Sequence, residues 1–385
     1  MLSSQNQYLL TANQNQMKKC SVISTLYLLI GCLYVNAQID PYLPDPNPPT
    51  IIPGYTLNWS DEFNINGKPD SKNWGYETGF LRNEEAQWYQ MNNAGCLDGA
   101  LQISGKREHY LNPTYNSSSS DWRFNRHYVE YTSASLNTSG LHSWLYGTFI
   151  VRAKIPTVTG SWPAIWTLGV NQEWPSNGEI DIMEFYANSI LANAAWGTST
   201  RWVANWKSTK TPFSHFTAKD PDWANKYHIW RMDWTSRYIK LYLDNELLNT
   251  IDVATTINAN GTNPFHQAQY LLLNLAIGGI NGGDPAQTPF PITYAVDYAR
   301  VYQENSTETE VVKKNSDPVL IGNKLFLREN SNEVQNICIF EPTGKIVLNQ
   351  TIGANIKSID VSKLKKGIYL IQLNGNYKTS KFIKN

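Results

Sequence analysis

Trp174-Pro175-Ser176-Asn177-Gly178-Glu179-Ile180-Asp181-Ile182-Met183-Glu184-Phe185-Tyr186 sets three carboxylates into an otherwise apolar, β-prone segment. Ile180, Ile182 and Phe185 favour a pleated, half-buried strand, in which alternate side chains point to one face. Glu179 and Asp181 therefore share a face. Glu184 lies five positions after Glu179, an odd offset that in a regular strand turns it to the opposite side. One extra residue bulged out near Met183 brings it back. The acids then form a row, with the α-carbons of the two glutamates roughly 13 Å apart at about 3.3 Å per step. Side chains leaning inward over Asp181 bring the two carboxylates into a range that includes the roughly 5.5 Å a double-displacement reaction at a sugar requires.

The plainer alternative is a set of solvent-side carboxylates on an amphipathic strand. Three on one face repel, however, and no lysine or arginine lies between residues 171 and 200 to relieve them. Such crowding is the arrangement that separates the pKa values of an acid and a nucleophile.

Outward from this strand, residues 55–303 alternate short β-like runs with Gly, Asn, Pro and Ser breaks, and no long stretch keeps a helical period. That pattern predicts an all-β sandwich. Among the runs are Leu57-Asn58-Trp59-Ser60-Asp61-Glu62-Phe63, Arg82-Asn83-Glu84-Glu85-Ala86-Gln87-Trp88-Tyr89, Tyr146-Gly147-Thr148-Phe149-Ile150-Val151-Arg152-Ala153-Lys154, Ser161-Trp162-Pro163-Ala164-Ile165-Trp166 and Val296-Asp297-Tyr298-Ala299-Arg300-Val301-Tyr302. Lysine plus arginine equal aspartate plus glutamate at 32 each, so no net charge recruits nucleic acid. The 14 tryptophans and 22 tyrosines suit a large β-rich core or a sugar-binding cleft equally well.

Glu179-Ile-Asp-Ile-Met-Glu184 resembles the signature of glycoside hydrolase family 16 in its bulged form, as found in laminarinases and marine galactanases. The other runs resemble that family's opening strand, its loop to the negative subsites, the strand before the cleft, its tryptophan pair and its closing strand, in the same order. The resemblance covers residues 54–303 and implies a concanavalin-like β-jelly roll with the acidic row on the concave face. It implies Glu179 as nucleophile, Glu184 as general acid/base and Asp181 as the residue that tunes the nucleophile. It further implies a secreted, endo-acting, retaining β-glycanase that needs no cofactor for catalysis.

By the same match Asn83 and Glu85 reach sugar hydroxyls, and Arg82 does so or binds an anionic substituent. Trp162, Trp166 and Trp174 are expected to line the cleft, with Trp196 and Trp202 as further candidates. The offset of four places Trp162 and Trp166 on one strand face. A structural calcium is implied between Glu62, Asp297 and the backbone of Gly105, oxygen ligands being suited to it.

Two departures stand against a simple β-1,3-glucan assignment. The chain reads Tyr131-Thr132-Ser133-Ala134-Ser135 where laminarinases carry an arginine, and Ala194-Ala195-Trp196-Gly197 where they tend to carry a histidine. Laminarin-type β-1,3-glucan leads as substrate, and a red-algal galactan (agar, porphyran or carrageenan) follows. A lectin-like protein of the same fold and a transglycosylase are the readings of other kinds; the paired glutamates argue against the first and the bulge against the second.

Met17-Lys18-Lys19, the apolar run at residues 22–35 and Val35-Asn36-Ala37 have the order of a secretory signal, cut after Ala37. Residues 1–16 fit no signal, which points to Met17 as the start. Leu29-Ile30-Gly31-Cys32 is a rival lipoprotein box, disfavoured by the apolar residues that follow it. Cys20 and Cys32 leave with the signal, and Cys96 and Cys338 fall in different domains, so no disulfide is expected.

Six prolines at residues 38–53 predict an extended tether, and residues 304–317 a polar linker. Residues 318–385 then change character, with short strands at 337–340, 345–348 and 367–371 and turns at 342–344 and 373–376. Glu341-Pro342-Thr343-Gly344-Lys345, Lys366-Gly367-Ile368-Tyr369 and Lys381-Phe382-Ile383-Lys384 resemble the type IX secretion sorting domain of Bacteroidetes, a small β-sandwich. The alternative, a sugar-binding module, lacks aromatic residues for a platform. The sorting domain implies Sec export, then passage across the outer membrane by the type IX machinery to the surface or medium. The chain is expected to act as a monomer on its polysaccharide.

Overall fold

The computed structural model describes residues 39–305 and, towards the C-terminus, 319–321, 323–327, 335–341, 345–353, 358–373 and 379–384. The expected signal region, most of the 304–317 linker, and the turns expected at 342–344 and 374–376 lie outside the described residues.

Two antiparallel-dominated sheets of ten and seven strands face each other as a β-jelly roll. The seven-stranded sheet runs, edge to edge, Ala204–Pro212, Ser189–Gly197, Glu179–Tyr186, Ser161–Gly169, Gln269–Ile277, Ser135–Asn137 and Gly75–Tyr76. Its inner face supplies Ile165, Ile180, Ile182, Ile190, Leu271 and Leu273 to the core. The ten-stranded sheet answers with Leu101, Ile103, Phe149, Val151, Trp230 and Met232. Each such aliphatic side chain stabilises the sandwich by roughly 1.5–3 kcal/mol when removed from water.

The two ends of the predicted sandwich meet in the ten-stranded sheet. Tyr55–Asp61 lies antiparallel to Ile292–Glu304, with Asp61 opposite Ala299. Closing the sheet this way joins contacts far apart in sequence and covers the edge that an isolated first strand would expose.

The proline-rich stretch is not the free tether its composition predicts. Arg152 Nη1 donates to the Leu43 carbonyl at 2.8 Å, the Tyr227 amide to the Pro41 carbonyl at 2.7 Å and the Tyr302 hydroxyl to the Thr50 carbonyl at 2.9 Å. The Asp45 amide donates to both carboxylate oxygens of Asp297. Extended proline-rich backbone makes no internal hydrogen bonds, so its carbonyls are open to buried donors of the sheet beneath it.

In the C-terminal segment the described residues form a three-stranded and a four-stranded sheet. They enclose a core that includes Leu325, Ile337, Ile339, Ile359 and Ile371. Tyr369 and Phe382 stack on each other within it, 5.6 Å apart, and so offer no sugar platform.

Candidate active site

The bulge expected near Met183 is present. Asp181 pairs with Trp166 and Met183 with Ile165 on one side, and the register shifts again between Asp181 and Glu184 against the other neighbour. Ile182 and Met183 are both buried in the core, so the extra residue is absorbed on the apolar face. Glu179, Asp181 and Glu184 then line one cleft of about 690 Å³ on the outer face of the seven-stranded sheet.

Three side chains hold the acidic row. Trp174 Nε1 donates to Glu179 Oε2 at 2.5 Å, and Trp162 Nε1 donates to Glu184 Oε1 at 2.9 Å. Asn193 stands opposite Asp181 in the register, and its Nδ2 donates to Asp181 Oδ2 and Glu184 Oε2, 3.1 Å to each. Glu179 and Asp181 are hydrogen-bonded to one another.

This crowding divides the protons. Burial, then the charges of Glu184 and Glu179, push Asp181 well above the usual carboxylate range. Burial raises Glu179 too, against the hydrogen bonds from Trp174 and Asp181 and the charge of Arg82. Burial, reinforced by the charge of Glu179, pushes Glu184 up to about 7, against the hydrogen bonds from Trp162, Asp181 and Asn193. The arrangement supplies a hydrogen-bonded carboxylate beside a carboxylic acid that can give up its proton near neutrality.

The cation missing from residues 171–200 comes from another loop. Arg82 lies over the Trp166 ring, 5.0 Å from its centre, and is tied by Glu77 on its far side. Ser135 Oγ donates to the same Glu77 carboxylate at 2.6 Å. The serine that departs from the laminarinase pattern therefore supports Arg82, which itself lines the cleft. Asn83 and Glu85 line it as well, and Glu85 is buried, accepting from Gln87, Tyr89 and Asn83 at 2.7, 3.1 and 3.2 Å.

This network continues across the cleft floor. Asn274 Nδ2 donates to the Tyr89 hydroxyl at 2.9 Å, and Trp166 Nε1 donates to Asn274 Oδ1 at 2.7 Å. The loop is set tightly: at Gly279, with φ of 72°, a β-carbon would stand 2.7 Å from the Asn83 carbonyl.

Trp162, Trp166 and Trp174 face the cleft as expected, whereas Trp196 does not. Along Ser189–Gly197 the period of two sends Leu191 and Asn193 to the cleft and Ala192, Ala194 and Trp196 to the core side. The exposed rings on this flank are Trp202 and Trp206. Trp206 was legible only through the pairing of its edge strand, where it stands opposite Ala195.

Glu62, Gly105 and Asp297 do not form the expected calcium site. Glu62 is paired with Arg300 (2.6 Å) and Asp297 with Arg152 (2.6 Å), so each carboxylate already has a guanidinium counter-charge. Gly105 pairs with Ile292, five residues along the strand from Asp297 and hence roughly 16 Å away at about 3.3 Å per residue. A β-carbon there would meet Ile292 and Ile277, an apolar setting. Among the described residues no cluster of His, Cys, Asp and Glu offers a metal set.

A jelly roll with tryptophan-held paired carboxylates in an open, aromatic-walled cleft defines a glycoside hydrolase that grips a polysaccharide along its length. The chain belongs to the glycosyl hydrolases family 16, whose profile matches residues 98–300. A protein of Rhodothermus marinus named beta-glucanase is 34% identical over 72% of this chain and 92% of its own length. Among solved structures, LamA of Zobellia galactanivorans, a variant crystallised with laminaritriose and laminaritetraose, is 32% identical with a TM-score of 0.53, covering 64% of this chain and 99% of that one. A structure solved in work on endo-acting O-glycanases of human gut bacteria that initiate mucin breakdown is 33% identical with a TM-score of 0.61, covering 67% and 94%. Residues 321–385 match the secretion system C-terminal sorting domain, which marks the chain for export.

Proposed function

We propose that the chain is an endo-acting, retaining β-1,3-glucanase of the laminarin type, with Glu179 as nucleophile and Glu184 as acid/base. One observation carries the chemistry: Glu179 and Glu184 each accept an indole N–H, and Asp181 stands between them, joined to Glu184 by the Asn193 amide. Glu179 attacks the anomeric carbon while the glycosidic C–O bond breaks and Glu184 gives its proton to the leaving oxygen. In the second half Glu184 takes a proton from water, the water oxygen attacks the same carbon and Glu179 departs, so the configuration is retained.

The substrate reading is supported by the beta-glucanase and by LamA with its laminari-oligosaccharides. Arg82, Asn83 and Glu85 would hold sugar hydroxyls on one side of the scissile bond, and Trp206 would stack on a ring on the other. A galactan is the second reading, favoured by Ser135 in place of the laminarinase arginine and by the lack of a histidine in Ala194-Ala195-Trp196-Gly197. For export, a Sec signal would act first and the type IX machinery second. The catalytic chain would work as a monomer.

The test is reducing-end release from laminarin, mixed-linkage glucan, agarose, porphyran and carrageenan, with Glu179→Gln in parallel. Release from laminarin that disappears in the variant is expected. Release from a galactan alone would replace the substrate, and release unchanged by Glu179→Gln would remove the mechanism.

A further inference from the structure

Beside the main cleft, a second depression of about 240 Å³ lies between the loops that precede Glu179 and follow Gly197. Trp174 and Trp202 line both spaces, so the two adjoin. Their directions differ. The cleft crosses the strands, drawing lining residues from Gln269–Ile277 through to Ala204–Pro212, whereas the depression lies off one end of two of those strands. A main chain following the cleft therefore passes its mouth without filling it.

The depression has the chemistry of a site for one uncharged ring. Gln172, Ser176, Thr198 and Thr200 supply amide and hydroxyl groups. Glu173 and Arg201 face each other through two hydrogen bonds of 2.9 and 2.8 Å, so the wall carries no net charge. Arg201 also lies 4.8 Å from the centre of the Trp202 ring and leaves that indole 53% exposed. Indole faces suit the apolar face of a pyranose, and the small polar groups suit its hydroxyls.

Its backbone is held under strain. Trp202 has φ of 65° and Gln172 φ of 71°, both in the left-handed region. That region disfavours a bulky residue, and such conformations persist chiefly where surrounding structure enforces them, often at ligand sites. One such residue stands in each of the two loops. The mouth opens next to Trp174, which bonds Glu179, so a group entering here hangs from a sugar beside the bond that is cut.

We propose that this pocket receives a single neutral sugar branch on the glycan main chain, next to the cleaved linkage. The inference rests on the β-1,3-glucan reading. A β-1,3 linkage leaves the primary O6 hydroxyl free, and a branch on O6 has the reach to leave the cleft sideways.

The experiment compares kcat/KM on a linear β-1,3-gluco-oligosaccharide and on the same oligosaccharide with one β-1,6-linked glucosyl branch. Arg201→Ala removes the partner of Glu173 and the support of Trp202, and Thr200→Trp fills the pocket. Each variant is expected to lower the branched-to-linear ratio of kcat/KM about tenfold, the linear substrate reporting the integrity of the fold. A ratio that neither substitution changes would overturn the branch pocket while leaving the β-1,3-glucan reading in place. Absence of turnover of the linear oligosaccharide by the unmodified protein would overturn that reading and the branch pocket together.

Discussion

Asn193 stands opposite Asp181 across the strand pair, and its single amide nitrogen donates to Asp181 and to Glu184, 3.1 Å each. It is buried at the cleft wall, between the two carboxylates it bonds. The two acids it joins are the tuning group and the proton donor of the proposed reaction.

Asn193→Ala is predicted to lower kcat about 10- to 100-fold, the order of loss expected when a reacting group is left less well placed. Its donor favours the ionised form of Glu184. Without it the Glu184 proton is held more tightly, and the alkaline limb of kcat/KM moves upward from near pH 7. A pH–rate profile separates this from simple loss of folded protein, which would scale the curve without moving the limb.

Glu184 also ties stability to pH. Its carboxyl rises from an ordinary 4.5 to about 7 on folding, chiefly through burial. Between those values the folded chain binds more protons at this site than the unfolded chain, so its contribution to stability falls as pH rises through the window. Glu184→Gln is predicted to be nearly inactive yet more resistant to urea at pH 8, with its advantage shrinking towards pH 4. Equal urea midpoints for the two proteins at pH 8 would contradict the burial argument.

Arg152 and Asp297 form a buried pair 2.6 Å apart beneath the proline-rich segment, and Arg152 also holds the Leu43 carbonyl. Removing one partner leaves the other charge buried alone. Arg152→Ala is predicted to cost about 3–5 kcal/mol in urea unfolding, far more than loss of the exposed Arg201–Glu173 pair. Equal costs would mean that the segment above the pair does not exclude water.

The sequence revealed most where the argument was local. The odd offset of Glu184 demanded a bulge, and the period of two placed Trp162 and Trp166 together; both follow from strand geometry alone. Trp196 faces the core because its side depends on which residue of its own strand begins the alternation, and Leu191 and Asn193 take the cleft side. Tyr89 and Asn274 carried no signal, since their roles arise only when strands far apart in sequence come side by side, and Asn193 becomes a partner of Asp181 only through the register of their hairpin. Glu62 and Asp297 look like ligands in the sequence because their arginine partners, Arg300 and Arg152, become neighbours only on folding. Pro41 to Thr50 looked like a tether because composition reports what a segment cannot form, not what donors lie beneath it.

The most direct test of the Glu179/Glu184 assignment is the stereochemistry of the first product. Cleavage of a laminari-oligosaccharide followed by proton NMR within the first minutes, before mutarotation, is predicted to show the new reducing end as the β-anomer. Initial appearance of the α-anomer would mean that water attacks directly, and would contradict the double displacement through Glu179.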